Sequence, residues 1–225
     1  MITKQVTGNK YKVFIVDDHP IMRQGISQLI NQEIDLVVCG DSGDVSNVRA
    51  AIAESAPDVV MVDISLGQGS GISLIEELAH YYPDLLMLAF SMHDESVYAE
   101  RCLKAGAKGY IMKQEPPEKV MAALRKVLRG EIYLSERLGT KLLYKLVTKK
   151  ADSSGSPLDK LSNRELEVFR MIGQGMKTRE VAEQLNISIK TVESYMNHIK
   201  VKMNFKDARD LFKNAVQWMM NENAY

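Results

Sequence analysis

The chain has 225 residues, of which 45% are hydrophobic and 26% charged, and its formal net charge is zero. That length admits one large domain or two modest ones. The charge balance excludes a protein that holds polyanions by bulk charge, while leaving room for a local basic patch. The first ten residues are polar and no apolar run reaches the ~18 residues needed to span a bilayer, so no membrane association and a cytoplasmic location are expected. Cys39 and Cys102 form no CxxC pair and no metal-ligand cluster, and are expected as buried, reduced thiols.

Taken in chain order, residues up to about 130 alternate strand-like and helix-like segments. Strands are predicted at 12–16, 36–39, 59–62, 85–90 and 109–112, short apolar runs of the kind that are buried on both faces. Between them, Pro20 opens a helix containing Ile21, Ile26, Leu29 and Ile30, and Asp44 caps a second that runs to Ala56 before Pro57. Further helices are predicted at 72–81, 95–105 and 117–129, the last stopping at Gly130. Five consecutive βα units imply a doubly wound parallel sheet with helices on both faces. An amphipathic segment at 136–147 then leads into KKADSSGSP, a polar, Ser- and Gly-containing stretch that reads as a linker.

Beyond the linker the pattern is entirely helical. Ser162 and Glu165 make a capping box that opens one helix, which Gly173 and Gly175 end. A short helix follows at about 178–185, Asn186 suits a left-handed turn position, and Ser188 caps a helix at 189–203. Asp207 caps the last, through about Met220. The domains are therefore drawn at 1–130, 131–157 for a linker helix and flexible linker, and 158–225.

In an open α/β sheet, ligands bind beyond the carboxyl ends of the strands. Asp17 and Asp18 follow the first strand, Asp63 the third, Ser91 the fourth and Lys113 the fifth. Three carboxylates at one rim repel one another unless a hard cation joins them, and oxygen ligation of this kind suits Mg²⁺. Lys113 and Ser91 can contact the oxygens of an anionic group beside Asp63.

These five residues, with Tyr110 three positions before Lys113 and Gly71 eight after Asp63, resemble the receiver domain of two-component response regulators, which has the flavodoxin-like strand order 2-1-3-4-5. The resemblance implies that Asp63 accepts a phosphoryl group from a histidine kinase or phosphotransfer protein. It implies that Asp18, Asp63 and the Ser65 backbone carbonyl ligate Mg²⁺, with Asp17 in support, and that Ser91 and Tyr110 form a switch pair. The protein would slowly hydrolyse its own aspartyl phosphate, at a rate modulated from Ser65 and His93, and would not be a metabolic enzyme. Two positions depart from the usual pattern. Gly67 stands where many receivers have proline, and Gln114 follows Lys113 where many have a cis proline; no cis bond is expected here. His19 is read as a loop residue of the motif.

In the second half, Val192, Met196, Ile199 and Met203 form one apolar stripe, and Lys190, Ser194, Asn197 and Val201, flanked by Glu193, form the opposite face. Leu161–Ser162–Asn163–Arg164–Glu165, Gly175, Glu180–Val181–Ala182, Ile187–Ser188 and Lys190–Thr191–Val192–Glu193 resemble the LuxR-type helix-turn-helix of the NarL/FixJ family. That resemblance makes 189–203 the recognition helix of a small four-helix domain that binds double-stranded DNA. Lys190, Thr191, Glu193, Ser194, Asn197, Lys200 and Lys202 are the expected contacts, with Lys206 a further phosphate contact. Lys177 stands where a Ser cap is common. The last helix offers Leu211, Phe212, Ala215, Trp218 and Met219 to a core or to a dimer. The family's use of this region marks Leu211, Ala215 and Trp218 as dimer candidates, and a homodimer is expected at least when phosphorylated. Two other readings are a phosphorylation-independent regulator with a vestigial pocket and a metal-dependent phosphoesterase built on Asp17, Asp18, His19 and Asp63.

Overall fold

A computed structural model describes residues 10–67, 69–148 and 157–222. The chain divides into two compact units, Met1–Leu142 and Leu143–Tyr225. Most of the expected linker, residues 149–156, lies outside the described residues.

The first unit is built on a five-stranded parallel sheet of order β2-β1-β3-β4-β5. Its strands are β1 (Tyr11–Val16), β2 (Leu36–Ser42), β3 (Val59–Val62), β4 (Leu86–Ser91) and β5 (Gly109–Met112). The helices are α1 (Pro20–Gln32), α2 (Val48–Ser55), α3 (Gly71–Tyr81), α4 (Glu95–Ala105), α5 (Pro117–Leu128) and α6 (Glu136–Thr148), the division between units falling within α6. β3 is wholly buried, as the unbroken VVMV run demands of a central strand covered on both faces. Val13, Ile15, Val59, Met61, Leu88 and Ile111 face Ile26 and Ile30 of α1 and Val120, Leu124 and Val127 of α5 in one cluster. Tyr133 and Leu138 extend this unit past residue 130: Tyr133 bridges to Gly109, and Leu138 is buried.

Two sequence boundaries shift for physical reasons. β2 runs on to Ser42, beyond Gly40, because the β1–β2 register slips between Val13 and Phe14 and Gly40 leaves space for the Phe14 ring, whose Cε2 would lie 2.7 Å from an added Cβ. The slip leaves Cys39 half-buried, correcting the expectation that both thiols are buried; Cys102 is buried, and both are free. Burial pushes the Cys102 thiol up to about 12. The helix expected from Asp44 begins as a 3₁₀ turn at Val45–Asn47, because the Asp44 carboxylate accepts the Ser46 N–H at 2.9 Å. It ends at Ser55, with Ala56 left-handed at φ 45° before Pro57.

The second unit holds α7 (Asn163–Gly173), α8 (Thr178–Gln184), α9 (Ile189–Met203) and α10 (Ala208–Glu222) after a 3₁₀ turn at Pro157–Lys160. Leu166, Phe169, Val181, Val192, Ile199, Leu211 and Ala215 fill its core. The capping box of α7 is present, Asn186 is left-handed at φ 52°, and Ser188 Oγ accepts the Thr191 N–H at 3.0 Å to cap α9. Lys177 supplies no side-chain cap to α8; Glu180 instead reaches back to the Lys177 N–H at 2.7 Å. Among the described residues no helix is long and apolar enough to cross a membrane.

Candidate functional site

Parallel strands of similar length end at one rim, so the residues that follow them converge. Lys113 Nζ lies 2.6 Å from Asp17 Oδ2 and 2.8 Å from Asp63 Oδ2, and all three side chains are at most 2% exposed. Asp63 Oδ1 accepts the Ser65 N–H at 2.9 Å. Asp18 Oδ2 accepts the Gly67 N–H at 2.8 Å, a donor that a proline would lack. A Cβ on Gly67 would stand 2.8 Å from the same oxygen, and one on Gly71 would stand 2.0 Å from the Asp63 carbonyl oxygen. Gly67 in the β3–α3 loop and Gly71 at the start of α3 therefore allow the backbone to approach the acids. The Lys113–Gln114 peptide is trans.

Burial pushes the Asp63 carboxyl up, opposed by the Lys113 ammonium and the Ser65 N–H and reinforced by Asp17. One ammonium faces three carboxylates, so the pocket retains net negative charge. Among the described residues Asp17 Oδ2 and Asp18 Oδ1 are buried and accept no aligned hydrogen bond; Lys113 Nζ lies 2.6 Å from the first and His19 Nδ1 2.8 Å from the second. Ligand atoms of Asp17, Asp18, His19 and Asp63 all lie within 4.8 Å of one another. This oxygen-rich set fits a hard divalent cation.

His19, read from the sequence as a loop residue of the motif, also brings its ring into this set. It precedes the first turn of α1, and its ring sits 3.1 Å from Asp17 Oδ1 as well as beside Asp18. Its place directly after the acidic pair was the available signal. Arg23 was missed altogether: its Nη1 donates to the Asp17 carbonyl oxygen at 2.6 Å and its Nε to Asp41 Oδ2 at 2.8 Å, fixing the β1–α1 loop against β2.

At the rim of β4, Ser91 is fully buried and its Oγ accepts the His93 N–H at 3.2 Å. Tyr110, 1% exposed, donates its hydroxyl to the His93 carbonyl oxygen at 2.7 Å. The backbone of His93 therefore joins the two residues of the expected switch pair, with the Tyr110 ring in its inward position. The His93 ring stacks on Tyr98, centroids 4.9 Å apart.

The second surface belongs to α9. Val192 and Ile199 are buried and Met196 and Met203 half-buried, which leaves Lys190, Glu193, Ser194, Asn197 and Val201 exposed on the opposite face. Thr191 is half-buried, and its hydroxyl lies 2.8 Å from Ser188 Oγ in the cap. Lys200 is half-buried and Lys206 exposed. Lys202 Nζ is 2.6 Å from Glu165 Oε2, tying α9 to α7, with His198 Nδ1 3.7 Å from the other oxygen. Sequence reasoning saw Glu165 only as a capping residue.

The dimer candidates need correction. Leu211 and Ala215 are 0% exposed, and the Trp218 ring packs at a tilt against Phe169 with centroids 5.7 Å apart. Gly173 packs so closely on α10 that an added Cβ would stand 2.6 Å from the Ala215 carbonyl oxygen. That stripe is consumed by α7–α10 packing; the open apolar residues of α10 are Phe212 and Met220.

Comparison with known proteins agrees with both surfaces. Residues 13–125 match the family described as "Response regulator receiver domain", and residues 159–215 match "Bacterial regulatory proteins, luxR family". The chain is 36% identical over 211 residues to the oxygen regulatory protein NreC of Staphylococcus epidermidis, covering 92% of this chain and 97% of that protein. A structure of the RcsB response regulator of Salmonella typhimurium aligns with a TM-score of 0.71 at 25% identity, covering 93% of this chain and 98% of RcsB. A second, RcsB from Salmonella enterica serovar Typhimurium bound to the promoter rprA in the presence of phosphomimetic BeF3⁻, aligns at 0.65 and 26% identity over 91% and 98%. The chain belongs to the LuxR-type response regulators of the NarL/FixJ family: it is a two-component, DNA-binding transcriptional regulator and not a metabolic enzyme.

Proposed function

We propose that Asp63 is the phosphoacceptor and that its modification by a histidine kinase, or by a phosphotransfer protein, controls DNA binding through α9. The observation that carries this reading is the placement of Lys113 Nζ within 2.8 Å of both Asp63 and Asp17 in a buried, net-negative strand-end pocket. A carboxylate oxygen of Asp63 forms a P–O bond as the P–N bond of the kinase's phosphohistidine breaks. Lys113, already beside Asp63, balances charge on the transferring phosphoryl oxygens. Asp17, Asp18, Asp63 and the Ser65 backbone carbonyl would hold Mg²⁺. Bound there, the ion neutralises charge between the carboxylates and the phosphoryl group. Ser91 Oγ then turns to a phosphoryl oxygen and gives up the His93 N–H, while Tyr110 holds the other end of the same residue. The shared attachment to His93 lets a change at the pocket reach the β4–α4 loop, biasing two populations of the receiver.

For output, Lys190, Thr191, Glu193, Ser194, Asn197, Lys200 and Lys202 are assigned to the duplex-facing side of α9, the exposed polar residues to base edges and the flanking lysines to phosphates. We divide the chain into a receiver at 1–130, a connecting segment at 131–157 and an output domain at 158–225. A homodimer, at least when phosphorylated, matches paired half-sites. Because its target is chromosomal DNA, we place the protein in the cytoplasm. The test combines a small phosphodonor and Mg²⁺ with intact-mass measurement and a duplex-binding assay. A single phosphoryl adduct that Asp63→Asn lacks, accompanied by tighter DNA binding in the wild type alone, is the expected result. Full DNA affinity in Asp63→Asn, equal to that of the phosphorylated wild type, would favour a vestigial pocket instead.

A further inference from the structure

We infer that Glu193 reads a cytosine in the major groove and is a specificity-determining residue of the operator complex. The inference rests on the reading of α9 as the recognition helix. An acidic side chain on a face that must meet a polyanion is a liability unless something there repays it. Glu193 is exposed and lies one helical turn before Asn197, on the same flank of the outward face. Its carboxylate makes no ion pair or hydrogen bond among the described residues, although Lys190 lies only three positions away; the acids of the neighbouring elements are by contrast engaged, Glu165 with Lys202 and Glu183 with Arg179. Glu193 is therefore neither a cap nor half of a surface pair, and its carboxylate is available.

A carboxylate is an acceptor only. In the major groove guanine presents O6 and N7 and thymine O4 and a methyl group, all of which it meets badly. Adenine offers the N6 amino group but sets the N7 acceptor beside it. Cytosine offers the N4 amino group with no acceptor on its own edge, so it is the base a carboxylate selects. The same charge repels phosphates, so Glu193 weakens binding to every duplex that lacks the cytosine. Selectivity then comes as much from rejection as from attraction. Asn197, adjacent on the helix, can take a neighbouring adenine with both ends of its amide.

The experiment is selection of binding sites from randomised duplexes by the full-length protein with beryllofluoride and Mg²⁺, repeated with Glu193→Gln, Glu193→Ala and Asn197→Ala, each checked for unchanged helical content. The wild-type consensus should contain a C·G pair in each half-site. Replacing it should cost roughly 5- to 150-fold in affinity, and that preference alone should disappear in both Glu193 variants. The Glu193 variants should also bind unrelated duplexes more tightly than the wild type. A wild-type consensus without that C·G pair, or one that both variants preserve, overturns the inference. Asn197→Ala separates the two levels: if it and the Glu193 variants all leave the consensus intact, the assignment of α9 fails, whereas an altered consensus in Asn197→Ala alone refutes only the role of Glu193.

Discussion

Lys202→Met discriminates between two roles for a residue that sequence assigns to DNA phosphates and the structure ties to a buried acid. The side chain of Glu165 is only 4% exposed, and its Oε2 takes both Lys202 Nζ at 2.6 Å and the Ser162 N–H at 2.7 Å. Breaking a fully buried pair costs about 3–5 kcal/mol, but Lys202 is 40% exposed and water screens its ammonium, which moves the cost toward the surface value of below ~1 kcal/mol. Methionine keeps the aliphatic length, so packing changes little. A loss of about 1–2 kcal/mol remains. In a domain of this size that lowers the melting temperature by roughly 4–16 °C. Trp218, the sole tryptophan of the chain, packs against Phe169 of the same unit, so its fluorescence follows the unfolding of that unit alone. The pH dependence adds a second constraint. Burial pushes the Glu165 carboxyl up, but Lys202 and the Ser162 backbone together outweigh burial and hold it below its ordinary range. A carboxyl depressed in the folded state stabilises fully above its unfolded value of about 4.3 and loses that contribution as pH falls through the folded value. Wild type and Lys202→Met should therefore differ at neutral pH and converge in acid. Equal melting temperatures at pH 7, with a DNA affinity whose salt dependence is shallower by about one charge, would refute the structural role and leave Lys202 as a phosphate contact alone.

Two further outcomes follow from the pocket. Asp18→Asn replaces an acid whose Oδ1 is buried without an aligned hydrogen bond, and should weaken Mg²⁺ binding, read by calorimetric titration, by about ten-fold or more while the protein stays folded; an unchanged dissociation constant would place the cation elsewhere. Gly71→Ala forces a Cβ to within 2.0 Å of the Asp63 carbonyl oxygen and 2.5 Å of the Ile64 Cα, both backbone atoms that cannot swing aside. It should cost about 3 kcal/mol or more in scanning calorimetry of the receiver unit, and wild-type stability would show that the loop is free to move.

The convergence of Asp17, Asp63, Ser91 and Lys113 was legible because it needs only chain order: each follows a short apolar run, and parallel strands put their ends on one rim. The polar face of α9 was legible for a similar reason, since helical period alone separates Val192 and Ile199 from Ser194 and Asn197. Period does not say what an apolar stripe meets. Leu211 and Ala215 have the same spacing whether they face α7 or a second protein chain, and only the close approach at Gly173 decides for the core. Gly40 likewise reads as the end of a strand until the Phe14 ring fills the space it leaves.

The residues with contacts beyond those the sequence assigns them share a physical trait. His19 precedes the first turn of α1, Glu165 completes the capping box of α7, and the Thr191 hydroxyl contacts the Ser188 cap of α9. Local contacts order both side chains: the His19 ring Nδ1 lies 3.1 Å from Asp17 Oδ1, and Glu165 Oε2 accepts the Ser162 N–H at 2.7 Å. A side chain already ordered by its own helix start surrenders little further conformational entropy when a distant group joins it. Asp63 Oδ2, 3.9 Å from His19 Nδ1, can then meet a prepositioned imidazole, and Lys202 a prepositioned carboxylate 37 residues away. Helix starts are thus where this fold can make long-range charge contacts at low entropic cost. One lies in the pocket assigned to the phosphoryl group, and the other ties α9 to α7.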